Sequence, residues 1–309
     1  MNHAGFWRRL AAFAIDLLLL GTVGQLCGLV AFDQLASLGG WGRLIGLVLS
    51  VLYFGVLDSR LGGGQTLGKR LLGIVLYHQA GQRISPVRSA LRYLVIALPL
   101  EINALSQGPG DGQMGLSMLQ AALSLGVGLA CLHMMIFNRR QGQWLPDVLC
   151  RTLVLRKQPG DLPNPVFWRG HAYAGLSMLA LAAALPPMLA HWLNAPVYGE
   201  LTRVANAVQA VPGVRAIGVQ EAQKGGTSPE GAPPTVFLQV SAQVDQRARL
   251  TQTMANQVAR AALPQMAATD RAGLVIALRY GFNIGIASRW MQYNVSHSPA
   301  EWRQLLLKP

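Results

Sequence analysis

Residues 5–32 read GFWRRLAAFAIDLLLLGTVGQLCGLVAF. Within them Leu10–Phe32 is long enough and apolar enough to cross a bilayer, which takes about 20 mostly apolar residues. Only Asp16 and Gln25 interrupt it. Arg9 precedes Asp16 by two helical turns, so both lie on one helix face, roughly 10 Å apart along the axis. An ionised carboxylate in hydrocarbon costs at least ~2.5 kcal/mol on insertion scales. Asp16 is therefore expected to face protein or a cavity and to be paired with Arg9 or with a basic group from another segment. Arg8-Arg9 ahead of an apolar run also looks like the start of a secretory signal. Asp16 breaks that signal's core and no small-x-small cleavage site follows, so an uncleaved membrane helix is expected.

Four more apolar segments follow: Trp41–Leu57, Tyr93–Leu105 with Pro99 and Glu101 inside it, Met114–Phe137, and Ala172–Leu193. The Tyr93–Leu105 segment is short, and reads either as a span or as a re-entrant or interfacial helix. The chain as a whole is 51% hydrophobic and 13% charged over 309 residues, with a mean hydropathy of +0.32. An average soluble domain carries roughly 25% charge, so a wholly soluble enzyme and a disordered chain are both excluded. The net charge of +13 has no basic, aromatic-interleaved module to suit nucleic acid. It reads instead as loop charge on a membrane protein. Arg8, Arg9, Arg60, Lys69, Arg70, Arg83, Arg88, Arg92, Arg139, Arg140, Arg151, Arg156, Lys157 and Arg169 fall on one side of the expected spans. The opposite loops, 33–42 and 106–113, hold no Lys or Arg. By the positive-inside rule the N-terminus is inside a bacterial inner membrane, and five spans put the C-terminus outside.

Residues 194–309 differ: 11 Lys+Arg and 6 Asp+Glu among 116 residues, with no apolar run long enough to span. A helix is expected over Tyr198–Val211, from the spacing of Leu201, Val204, Ala205 and Val208, with Pro212-Gly213 ending it. Strands are expected over Val214–Gln220, Thr235–Val244 and Leu274–Ile286, and a second helix over Asp245–Ala268 with Asp245 as its cap. The expected class is an α-helical membrane bundle of four or five transmembrane helices with a small cytoplasmic β element, plus a soluble α+β domain in the order α-β-β-α-β. Its parts are a membrane domain over 1–157, a linker and fifth helix over 158–193, and a periplasmic domain over 194–309. The stretch VPGVRAIGV resembles small periplasmic BON-type domains, which implies a fold and no more.

Chemical motifs are few. Gly63-Gly64-Gln65-Thr66-Leu67-Gly68-Lys69 has the spacing of a Walker A loop, but a P-loop needs a preceding buried strand and a following Ser/Thr for magnesium. Here a membrane helix precedes it and Arg70 takes the Ser/Thr place. The expectation is a glycine-rich turn at the membrane surface, with Lys69 and Arg70 anchored on anionic lipid headgroups. Cys27, Cys131 and Cys150 form no CxxC, the six histidines are scattered, and no HExxH, GxSxG or EF-hand loop occurs. No cofactor, metal or enzymatic activity is expected.

Three blocks, GFWRRLAAFAIDLLLL, GGGQTLGKRLLGIVLYHQAGQRIS and QGQWLPDVLCRTLVL, together resemble the RDD family of bacterial membrane proteins over about residues 5–157. The family takes its name from one arginine and two aspartates, which match Arg9, Asp16 and Asp147. Its most specific block matches Gly64, Gln65, Thr66, Gly68, Lys69, Arg70 and Gly73. The resemblance implies no settled molecular function; transport of unidentified ligands, including cation/proton exchange, has been suggested for the family. Pro146 and Cys150-Arg151 depart from its softer pattern around the last aspartate. The fifth helix and C-terminal domain lie outside its core.

Within the core, Ile74–His78 and Arg83–Ser85 flank a hairpin-like turn at Gln79–Gln82, and Leu153–Leu155 reads as a strand returning to the same surface. Asp147, Lys69 and Arg70 are then expected to converge. Two main functions remain. One is an accessory, assembly or scaffold protein whose partners are membrane lipids and a protein or second copy, the domain beyond residue 194 showing no catalytic set. The other is a transporter of a cation or small solute using Asp16 and Glu101. An enzyme acting on lipid headgroups ranks last.

Overall fold

The computed structural model describes residues 3–101, 111–138, 142–156, 168–192, 196–224, 235–266 and 272–307. Its N-terminal half holds α1 (Phe6–Val30), α2 (Phe32–Ser37), α3 (Arg43–Leu57), α4 (Leu67–Leu71), β1 (Ile74–His78), α5 (Pro86–Glu101), α6 (Asp111–Phe137), α7 (Leu145–Leu149), β2 (Thr152–Arg156) and α8 (Arg169–Trp192). Three helical stretches, Phe6–Val30, Gly39–Leu57 and Leu119–Phe137, are long and apolar enough to cross a membrane.

The buried positions of α1 are Arg9, Ala12, Asp16, Leu20, Gly24 and Gly28. They recur every three or four residues, so they form one stripe. Charge sits at one end of that stripe and glycine at the other. The rest of α1, including Leu18, Leu26 and Leu29, is exposed, as a lipid-facing surface requires.

Helices α3 and α5 run antiparallel along each other. Ser89 Oγ donates to the Phe54 carbonyl (2.8 Å) at one end, and Arg43 Nε donates to Glu101 Oε2 (3.0 Å) at the other. The segment expected to begin at Tyr93 thus starts at Pro86, where the fixed proline φ suits a first helical position and Ser85 Oγ accepts from the Arg88 N–H (3.3 Å). Its expected end, residues 102–105, lies outside the described residues. Helices α6 and α8 are likewise antiparallel: His133 Nε2 and His171 Nδ1 stand 3.2 Å apart, and Gly126 lies against Leu179 and Ala182.

The small β element forms with a different pairing from the expected hairpin. β1 pairs antiparallel with β2, Ile74 opposite Arg156 and His78 opposite Thr152. Arg83–Ser85 is not a strand; Arg83 lies over the Tyr77 ring instead, 4.2 Å from its centroid. The Gln79–Gln82 turn does close, with the His78 N–H donating to the Gln82 carbonyl (2.8 Å). His3 bridges to Leu155 and the Ala4 N–H donates to the Val154 carbonyl (3.1 Å), which ties the chain's beginning to this sheet.

The C-terminal part holds α9 (Pro196–Gln209), β3 (Val214–Lys224), β4 (Thr235–Val244), α10 (Gln252–Ala262), β5 (Gly273–Asn283), β6 (Ser288–His297) and α11 (Pro299–Leu307). The order is α-β-β-α-β-β-α, one strand and one helix more than expected. The strands lie β3-β4-β5-β6, with β4 and β5 parallel and joined through α10. Leu238, Val240, Ile276, Leu278, Val258 and Trp302 share one core. β6 alternates only over Met291, Tyr293 and Val295, of which Val295 alone is fully buried, so the signal it offers is short. The second helix is also shorter than expected. Its cap is Thr251, whose Oγ1 accepts from the Met254 N–H (3.3 Å), while Asp245 pairs with Arg249 (3.0 Å).

This domain seats on the glycine end of the α1 stripe. A Cβ on Gly28 would fall 2.2 Å from Phe282, and one on Gly46 of α3 would fall 1.8 Å from the Ile284 carbonyl oxygen. The β5–β6 turn therefore lies directly on the two helix backbones. Tyr280 donates to Asp33 (3.1 Å) and Arg215 to the Ala36 carbonyl (2.9 Å).

Candidate functional site: a buried charge cluster

At the other end of the α1 stripe, five elements bring charged side chains together. Arg9 comes from α1, Asp58 from the C-cap of α3, Lys69 from α4, Arg92 from α5 and Asp147 from α7. Asp147 accepts from two guanidiniums: Arg9 through Oδ2 and Arg92 Nε through Oδ1 (2.8 Å). It also accepts from the Trp144 N–H (3.2 Å) and Thr152 Oγ1 (3.0 Å). Arg92 reaches Asp58 as well (3.6 Å), and Asp58 pairs with Lys69. The result is an alternating chain Lys69–Asp58–Arg92–Asp147–Arg9. Arg9 further donates to the Gly142 carbonyl and lies over the Trp144 ring, 4.8 Å from its centroid.

Asp16 sits beside this chain, fully buried, but it does not pair with Arg9 as expected. Its oxygens accept from neutral donors: Tyr53 Oη (2.7 Å), Thr66 Oγ1 (2.5 Å) and the Gly68 N–H (2.8 Å). Sharing a helix face places two residues on one side of α1. It does not choose their partners, and the nearer partner for Arg9 arrives from α7.

The glycine-rich block is explained by the same contacts. Gly64 has φ +70°, and its carbonyl accepts from the Leu76 N–H (2.9 Å). Gln65 Nε2 donates to the Ile74 carbonyl (2.8 Å). Thr66 caps α4. Gly68 lies against α1 so closely that a Cβ would fall 2.1 Å from the Ala12 carbonyl oxygen. Gly73, at φ +63°, turns the chain from α4 into β1. Arg70 is exposed and donates to the Gly62 carbonyl (3.0 Å), as a surface residue should. Lys69 is the correction: it is buried and points inward to Asp58, because an ammonium taken from water needs a counter-charge.

Glu101 does not join the cluster. It pairs with Arg43 at the far end of α3 and α5. Asp58, Arg92 and Tyr53, which do join or flank the cluster, were not singled out from sequence. Asp58 closes the apolar run VLYFGVLD, and an acid at a span's end could have been matched to Lys69.

Burial alone would raise the Asp147 carboxyl; the Arg9 and Arg92 charges outweigh it and hold it well below the usual carboxylate range. Burial also lowers the Lys69 ammonium, with Asp58 acting against it. Between the side chains of Arg9, Asp16, Lys69, Arg92, Tyr93 and Trp144 lies a space of about 40 Å³, room for one or two waters. Among the described residues, no three His, Cys, Asp or Glu side chains gather into a set that could hold a metal ion.

The RDD family model matches residues 3–151, which include every member of the cluster. Over residues 3–151 the chain is similar to the RDD family. Arg9 and Asp147, matched by sequence to the family's arginine and one of its aspartates, form an ion pair, and Asp16, matched to the other, accepts from Thr66 and Gly68 of the glycine-rich block. The match ends before β2, α8 and the C-terminal domain. No curated protein and no solved structure matches the chain.

Proposed function

We propose that this protein is a membrane scaffold, not a catalyst. In this reading its RDD core crosses a bacterial inner membrane and holds the C-terminal α+β domain on the outer face, where that domain meets a protein partner. The chain crosses five times, through α1, α3, α5 and α6 of that core and through α8 beyond it, with the N-terminus inside. Three features support this arrangement: the Lys/Arg asymmetry of the loops, the antiparallel pairs α3/α5 and α6/α8, and the seating of the C-terminal domain at the end of α1 opposite Arg9.

The observation that carries the scaffold role is the ion pairing inside the charge cluster. Each cation in it is held by a carboxylate of the cluster, Asp16 is held by three donors, and the space left is about 40 Å³. Such a set fixes helix positions, with Asp58 Oδ1 the one carboxylate oxygen in it left without a donor among the described residues. The other reading is a transporter of a cation or small solute. It is favoured by Asp16 alone, whose negative charge is met by neutral donors and which lines the space in the cluster.

Reconstitution separates the two. The scaffold reading expects proteoliposomes to show no proton or monovalent-cation flux above protein-free vesicles. It also expects a photo-crosslinker in place of exposed Gln292 to trap one specific partner in native membranes. Flux that Asp16→Asn abolishes in a stable protein would establish the transporter instead.

A further inference from the structure

A second cavity lies on the outer side of Arg9. It measures about 610 Å³ and opens between the start of α1 and the end of α6. This falls within the range of about 300–1,000 Å³ typical of small-molecule sites. Its walls are apolar: Phe6 and Trp7 on one side, Leu132, Met135 and Ile136 on the other. Its inner end carries Arg9 and His3, and among the described residues no carboxylate lines it.

Three observations fix what this cleft suits. First, Arg9 is buried but shares Asp147 with Arg92. Within the ion-pair chain Lys69, Arg92 and Arg9 face two carboxylates, Asp58 and Asp147, an excess of one cation, with Asp16 held beside them by neutral donors. A guanidinium has five N–H donors, and Arg9 commits two, to Asp147 and Gly142. Second, His3 lines the same cleft as Arg9, and burial first and the Arg9 charge second push its imidazole below its usual value. Third, the cleft lies at a membrane boundary. Trp7 is 77% exposed, as interfacial tryptophans are, and Leu132, Ile136 and Phe137 of α6 face outward.

We infer that this cleft holds one anionic phospholipid, its phosphate at Arg9 and His3 and the upper part of an acyl chain between Phe6 and Met135. The volume takes a headgroup and the first stretch of one chain; the remainder of the lipid lies along the outward face of α6. A soluble phosphate would use the cationic end and leave the apolar walls idle. This site is independent of the scaffold role.

The test is native mass spectrometry of the full chain in detergent, with phosphatidylglycerol and phosphatidylcholine offered together. One phosphatidylglycerol per chain is expected, retained about fivefold or more over phosphatidylcholine, the effect of roughly one unscreened cation near a membrane surface. His3→Ala, outside the helices and the charge cluster, should bring retention towards the phosphatidylcholine level. Met135→Trp, which fills the cleft, should do the same, with unchanged thermal unfolding confirming that each variant is folded. Glycerol 3-phosphate should not compete. Equal retention of the two lipids, unchanged retention in both folded variants, or displacement by glycerol 3-phosphate would each overturn the proposal.

Discussion

Asp147 answers two guanidiniums at once, so replacing its charge strands both Arg9 and Arg92 in a buried site. Removing one member of a buried ion pair commonly costs about 3–5 kcal/mol, and Asp147→Asn is expected to lower stability by that order in detergent-solubilised thermal unfolding. Adding Arg9→Met should recover part of the loss, since Arg92 keeps Asp58. Asp16→Asn should be milder, about 1–2 kcal/mol, because its partners are neutral and an amide oxygen can still accept from Tyr53 and Gly68. An Asp16→Asn protein as unstable as Asp147→Asn would contradict this ranking. The pH dependence follows the sign of the Asp147 shift. Its folded value lies below the unfolded one, so its contribution is complete above the ordinary carboxylate range and is lost as pH falls through the folded value. The stability gap between wild type and Asp147→Asn should stay constant down to about pH 4 and narrow below it. A gap that narrows between pH 7 and 5 would mean the carboxyl is not held by the two arginines.

Among the elements, the glycine contacts between the β5–β6 turn and helices α1 and α3 make the sharpest prediction. A methyl on Gly46 would meet backbone, the Ile284 carbonyl, which cannot swing aside as a side chain can. Gly46→Ala should cost about 1–3 kcal/mol of overpacking and raise hydrogen exchange at Ile284–Ala287, with the Arg9–Asp147 end unaffected. Unchanged exchange there would show that the turn is not seated on α3. The glycine-rich block should bind no MgATP by titration calorimetry, and Lys69→Ala should register as lost thermal stability; a saturable heat abolished by Lys69→Ala would contradict the contacts seen. Most of these elements were legible in the sequence. The apolar run of α1, the other membrane helices and the GQTLGKR block all announce themselves through sequence local to one segment. What was not legible is pairing between distant segments. Arg9 and Asp147 stand 138 residues apart, β1 chose β2 over Arg83–Ser85, and Lys69 turned inward to an Asp58 that the local pattern left unmarked. β6 did carry a local signal, the alternation of Met291, Tyr293 and Val295, but it is only five residues long.

For the molecule as a whole, the α1 stripe joins two ends with opposite roles. The charge cluster and the β1–β2 sheet fix one end of the helices, and the C-terminal domain rides on glycines at the other. If α1, α3, α5, α6 and α8 each cross the membrane, these two ends face different compartments, and everything proposed for the C-terminal domain depends on that. The direct measurement is labelling with a membrane-impermeant maleimide in right-side-out vesicles, in a chain whose Cys27, Cys131 and Cys150 are replaced by Ser. Gln292→Cys, exposed on β6, should label at once; Gln82→Cys, exposed beside β1, should label only after the membrane is permeabilised. Labelling of both positions from the same side would contradict the five-crossing scaffold.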